Sequence, residues 1–268
     1  MDEFGVKPHF TEGYLKHKVF NEIKYMIDFY ESLSYNCSQF SPNGTLGITN
    51  YASYVFSSIG GTLDSIRTVL RIGRINDGYS LIRKLYDDVL TGIYFNVVRV
   101  EKFDPFQHLV VKDVDDWLRR RKRIPELSHI LNKLKTADCT KDLYPYFEWD
   151  SSLTTMRGYL NDNIHANCYQ LLLLNCNQVF LPDREKHLDK ILSILDQIFT
   201  IHLAFTFYIN SCYMVSDDYI SCLESGTEPP EDSQYWIAPF AQDAFDKFIK
   251  PQAKLASFIK SESSMQIM

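Results

Sequence analysis

Leu81-Ile-Arg-Lys-Leu-Tyr-Asp-Asp-Val-Leu-Thr-Gly-Ile93 decides the fold class. Leu81, Ile82, Leu85, Val89 and Ile93 recur at helical spacing, which gathers apolar side chains on one face. The stripe predicts a helix from Asn76 or Asp77 to about Val100. Upstream, Tyr14, Val19, Phe20, Ile23, Met26, Ile27 and Tyr30 predict an amphipathic helix over 14–35. Pro42, Asn43 and Gly44 make Ser38 to Gly47 a loop. A second helix follows from about Thr49 to Gly73, with Gly60-Gly61 inside it, where a neighbouring helix can approach closely.

Downstream, Asp104-Pro105 starts a helix that continues to Arg119-Arg-Arg-Lys-Arg123 and stops at Pro125. A short helix, Pro125 to Lys135, is expected next, then an irregular stretch from Asp138 to Trp149. Asp150-Ser151-Ser152 offers caps for a helix carrying His165 and running to about Leu174. Pro182-Asp183 opens a long helix reaching Leu223. Gly226 to Asp232, with Pro229-Pro230, reads as a linker. A last helix, about Tyr235 to Lys260, is interrupted near Pro251, and the Ser-rich tail from Ser261 is expected to fray. No strand pattern and no internal repeat is visible in the sequence. The reading is all-α, an antiparallel multi-helix bundle over 1–225, with linker and C-terminal helix (226–268) packed on the same domain.

The 268 residues are 45% hydrophobic and 23% charged, enough to bury a sizeable core. Eleven Gly and ten Pro are too few for a sandwich or barrel built on tight turns. A net charge of −6 gives no global field to draw in nucleic acid. Met1-Asp-Glu-Phe does not read as a signal peptide. Six cysteines without a CxxC pair suit a reducing compartment, so a cytoplasmic location is expected. Ile191 to Val215 is the most apolar stretch, but Asp196, Gln197, His202 and Asn210 interrupt it. A core helix is expected there rather than a membrane span.

Three polar features stand out. The basic run Arg119, Arg120, Arg121, Lys122 and Arg123 is a candidate RNA contact. It also has a structural explanation: Asp115–Arg119 and Asp116–Arg120 are i,i+4 pairs with the acid first, the favourable order. Arg83 and Asp87 share a face with Leu90 and Tyr94, base before acid. That favours a partly buried pair reaching another helix, either as a brace or as a member of a site. His165 sits among Asn161, Asp162, Asn163 and Asn167. An imidazole can move a proton near neutral pH, and Asn161 one turn away can orient it or a phosphate. A hydrogen-bonded structural histidine is the other reading. Cys168 is expected to be a packed thiol. The histidines are scattered without an HxxxH pair, and Glu126-Leu-Ser-His129 stands alone, so no metal site is expected. No P-loop, dinucleotide loop or GxSxG elbow is present, so no cofactor is expected.

Tyr159-Leu-Asn-Asp-Asn-Ile-His165 resembles the terminal motif of the HEPN superfamily of helical bundles. Gly78-Tyr-Ser-Leu-Ile-Arg83-Lys-Leu-Tyr-Asp87 resembles a motif of a related group of uncharacterised bacterial helical proteins. There an Arg and an acid one turn on precede a later Tyr-Leu-polar-X-X-X-His segment. The resemblance covers about Tyr51 to Leu174. It implies a HEPN-like core over 51–174, joined by the long helix 183–223 and extra C-terminal helices. It also implies a homodimer and metal-independent RNA cleavage, as in toxin-type defence or stress effectors. His165 would transfer the proton and an arginine would hold the phosphate. Position by position, His165 takes the histidine and Asn161 the polar residue, while Leu160 stands where the nucleases carry arginine. Arg83, from another helix, or Arg157, about 12 Å back along the axis, would have to replace it. The residues assigned to the site are His165, Asn161, Arg83 and Asp87. The alternative is a non-catalytic bundle that binds a partner protein or nucleotide, with the same cluster structural.

Overall fold

The computed structural model describes residues 7–39, 51–104, 111–228, 236–263 and 265–268. The chain is all-α. Its helices are α1 (Glu12–Leu15), α2 (Val19–Gln39), α3 (Tyr51–Arg71), α4 (Ile75–Lys102), α5 (Lys112–Leu118), α6 (Leu127–Thr136), α7 (Thr154–Ile164), α8 (Tyr169–Leu173), α9 (Arg184–Ile209), α10 (Asp217–Ser225), α11 (Pro239–Ala244) and α12 (Ala253–Glu262). An isolated antiparallel bridge joins Val215 and Ile237. The expected helix start at Pro105, most of the loop before α3 and Pro229-Pro230 of the linker lie outside the described residues.

The chain divides into two compact units. The first comprises the described residues of Met1–Asp28, with Ser58–Asp88 and Glu148–Phe199. Ile59, Leu63, Ile66 and Leu70 of α3 are buried at helical spacing, as are Tyr79, Ile82 and Leu85 of α4. Leu160 of α7 and Leu188, Ile191 and Leu195 of α9 add to this core. Polar groups pin the α3–α4 turn. Gly73 has φ +77°, and a Cβ there would lie 2.5 Å from the His9 ring, so only glycine fits. Arg184, 4% exposed, donates to the carbonyls of Gly73 and Leu174, and the Tyr14 hydroxyl donates to Leu70 O at 2.9 Å. A cation on carbonyls at helix ends opposes the helix dipole and satisfies acceptors that the helices leave open.

The second unit comprises Phe29–Ser57, Val89–Phe147 and Thr200–Met268, within the described residues. Its core is aromatic: Phe56, Phe205, Phe207 and Phe245 are almost fully buried, and Phe95 stacks on Trp117 at 4.2 Å. His202 is buried with them, its Nδ1 2.7 Å from the Tyr30 hydroxyl.

Several boundaries differ from the sequence expectation. The long helix ends at Ile209 rather than Leu223. Asn210 leaves helical geometry, Ser211–Met214 form a 3-10 turn, and Ser216 caps α10 by accepting from Tyr219 N. Ser216-Asp-Asp is a start signal that the apolar run before it hides. The tail does not fray. Met265 is buried, and Gln242 exchanges two hydrogen bonds of 3.1 Å with the backbone of Met268. The interruption at Pro251 is present. α9 is long and apolar enough to cross a membrane, and 78% of its most apolar window is buried inside the protein.

Burial pushes the His202 pKa down to about 3. The unfolded chain, near 6.5, therefore binds a proton that the folded chain excludes between those values. Stability should be full above pH 6.5 and fall as pH drops toward 3, with a limiting slope of about 1.4 kcal/mol per pH unit from this group. Urea unfolding of wild type and His202→Phe across pH 4–7 checks this. The variant should show a shallower pH dependence, and parallel curves would contradict the assignment.

Candidate functional site

The candidate site lies in the first unit, where α4 meets α7. Arg83 is 8% exposed. A guanidinium removed from water needs partners for its charge and its N–H groups. Its Nε donates to Asn161 Oδ1 on α7 at 2.8 Å, and its Nη1 forms an ion pair with Asp87 one turn along α4. Asp87 keeps half of its side chain in solvent, so the salt bridge itself adds little stability. The bond to Asn161 joins two helices and fixes the rotation of α7 about its axis.

Tyr79, one turn before Arg83, meets Tyr159 edge-on at 5.2 Å, and its hydroxyl lies 3.2 Å from His187 Nδ1. Lys190 Nζ sits 3.1 Å above the Tyr159 ring, a cation–π contact. Burial raises the Tyr79 pKa, while burial and then Lys190 and Arg184 lower that of His187. Both groups are therefore neutral near pH 7. Sequence reasoning assigned no site role to Tyr79, Tyr159, His187 or Lys190. Tyr79 and Tyr159 stand within the two motifs that carry the resemblance, whereas the α9 partners had no local signal.

His165 is placed differently. The helix expected to continue to Leu174 ends at Ile164, and α8 follows as a separate turn. Ala166 takes φ 50°, Asn167 N donates to Asp162 O, and His165 N donates to Asn161 O. A residue in the left-handed region with a six-to-one hydrogen bond back across the last turn is a Schellman closure. Asn167 Nδ2 reinforces it by donating to Asp162 Oδ1 at 2.9 Å. Much of the polar density that singled out this segment is thus helix-capping chemistry. Asn163 is also used locally, donating to Tyr159 O at 2.8 Å. His165 itself is exposed, and no side chain among the described residues hydrogen-bonds its ring.

The structure therefore brings Arg83, Asp87 and Asn161 together and leaves His165 at the adjoining surface. Leu160, at the position where the resembled nucleases carry arginine, is fully buried. Arg157 is half-buried, two turns before His165. Cys168, expected to be packed, is exposed because the chain has left the helix there.

The basic run lies in the second unit. α5 ends at Leu118, before the run rather than within it. Asp115 pairs with Arg119 at 2.6 Å as expected, but Asp116 does not pair with Arg120. Arg120 adopts φ 58°, which turns it off the helix path. Asp116 pairs with Lys112, and Arg121 approaches it at 3.8 Å. Lys122 bonds Asp113 at 2.8 Å. Hydrogen bonds from Lys102 and then Lys122 bring the Asp113 pKa down to about 2. Three cations of the run are thus shared with carboxylates. Among the described residues no cluster of His, Cys, Asp or Glu is arranged to hold a metal ion. Comparison with protein families, curated proteins and solved structures returns no match for this chain.

Alanine is strained in the left-handed region, whereas glycine is not. Ala166→Gly should stabilise the protein by about 0.5–1 kcal/mol, the relief of strain exceeding the added freedom of the unfolded chain. Urea denaturation measures this. A loss of stability would mean that Ala166 does not close α7.

Proposed function

We propose that this chain is a non-catalytic helical interaction protein, in which Arg83, Asp87 and Asn161 brace the surface that its partner meets. The commitment of Arg83 carries the reading. Its Nε donates to Asn161, its Nη1 is ion-paired with Asp87 without forming a well-aligned hydrogen bond, and the residue is 8% exposed. A scissile phosphate would have to compete with Asn161 and Asp87 for this guanidinium. Leu160, at the position where an arginine would act, is a buried leucine, and Arg157, the other candidate, lies two turns before His165.

The partner we assign is a second copy of the chain. Residues 163–182 contain no Lys, Arg, Asp or Glu. Ile164 through Gln170 are exposed, Tyr169 by 73%, and Leu172 on the next turn by 48%. Copies carrying a net charge of −6 repel one another, least so where the surface is uncharged. An exposed tyrosine and leucine at i and i+3, rimmed by amides, have the make-up of a protein contact. A nucleic-acid surface would need cations there.

A second reading, a HEPN-type metal-independent ribonuclease, is favoured by one observation: the His165 ring is exposed and unengaged within this same uncharged surface. Association through it would bring two imidazoles near each other, one to accept and one to donate a proton.

Light scattering coupled to size-exclusion chromatography, with an RNA incubation free of metal, separates the readings. Wild type should elute at twice the chain mass, and Tyr169→Ser/Leu172→Ser should shift to monomer with RNA intact throughout. A monomeric wild type, or a dimer undiminished in the double variant, would overturn the interaction surface. RNA cleavage by wild type that is lost in His165→Ala would replace the first reading with the second.

A further inference from the structure

The second unit contains a polar cluster that the proposed function does not use. Arg99, in the last turn of α4, donates through Nη2 to Asn210 Oδ1 at 2.8 Å and to the Tyr213 hydroxyl at 3.0 Å. Asn210 follows α9 directly and is 3% exposed. Its oxygen is fixed by the guanidinium, because the reverse orientation would set two donors against each other. The amide nitrogen must then face away from Arg99 Nη2. That nitrogen is buried without an acceptor, and so is Arg99 Nε. Two N–H donors on side chains already in contact thus lack acceptors, in a setting where such groups are costly.

The charge is unmatched as well. No carboxylate among the described residues pairs with Arg99. The titratable groups that act on its charge are Tyr213, Tyr51, Cys212 and Cys37. Burial raises all four, the Cys37 thiol to about 12, so the walls are neutral at pH 7. The C-terminal dipole of α4 offsets part of the positive charge but accepts nothing from Nε. Arg99 and Cys212 are partly exposed, whereas Arg99 Nε and Asn210 Nδ2 themselves are buried.

We propose that Arg99 and Asn210 form a binding site for a small carboxylate. A carboxylate has two in-plane oxygens, which suit one guanidinium N–H and one amide N–H, and it supplies the missing negative charge. A neutral acceptor would satisfy the donors and leave the charge unmatched. The burial of Asn210 restricts the ligand to a small free acid rather than a polypeptide side chain. The site is remote in sequence from α7 and stands independently of the reading of His165.

Thermal unfolding of the full chain in sodium acetate, acetamide and sodium chloride, at constant ionic strength for the two salts, tests this. Acetamide has the shape of acetate without the charge. Acetate should raise Tm saturably by about 2–4 °C, with acetamide and chloride giving no such rise. Asn210→Asp places a carboxylate against Arg99 from within the chain and should abolish the acetate response while remaining folded. The assignment is overturned by a wild type that shows no saturable response to acetate. Equal responses to acetamide or chloride, or an acetate response that persists in Asn210→Asp, overturn it as well.

Discussion

A guanidinium taken out of water must be met by acceptors inside the protein, and Arg83 imposes this constraint on the first unit. Arg83 lies beside Tyr79 and Ile82 in the buried part of α4, and little of it is left in contact with water. One acceptor comes from its own helix, Asp87, and one from α7, Asn161. The second matters more, because it makes the rotation of α7 a consequence of α4. With α7 held, Leu160 faces the core, and the helix end with Ala166 and His165 emerges at the surface. A lone buried charge is costly, so losing Asn161 as acceptor would destabilise the protein by far more than the small net worth of an intact hydrogen bond.

The same arrangement explains why a histidine in a polar helix segment is weak evidence for catalysis. Asp162 and Asn167 close the last turn, Asn163 bonds back to Tyr159, and Asn161 serves Arg83. Each polar residue around His165 except the histidine itself has a local structural use. What remains is an exposed imidazole on an uncharged surface, which suits association more directly than it suits phosphate chemistry. Arg184 and Arg99 each meet only neutral acceptors, Arg184 the carbonyls of Gly73 and Leu174, Arg99 the Asn210 amide oxygen and the Tyr213 hydroxyl, and each keeps a buried N–H without an acceptor.

Much of the fold was legible in the sequence. The period of Leu81, Ile82, Leu85, Val89 and Ile93 placed α4 within two residues at each end, because a long amphipathic stripe is set by burial alone. The order and spacing of Arg83 and Asp87 pointed to a buried pair reaching a second helix, and the contact with Asn161 has that form. Helix ends were less legible. Apolar residues continue past Ile209 and past Ile164, so periodicity ran on while capping geometry stopped the helices. Ala166 gave no warning, since alanine is seldom the residue that adopts a left-handed closure. The α9 neighbours of Arg83 depend on tertiary packing and carry no local signal.

A double-mutant cycle between Arg83 and Asn161 tests the central claim most directly. Arg83→Met, Asn161→Leu and the pair are compared with wild type by urea denaturation. If the bond is the brace described here, each single variant loses about 3–5 kcal/mol or unfolds, and the pair recovers part of that loss, with a coupling of about 1.5–3 kcal/mol. Additive losses with no coupling would contradict it, because Arg83 would then be stabilising the fold without α7.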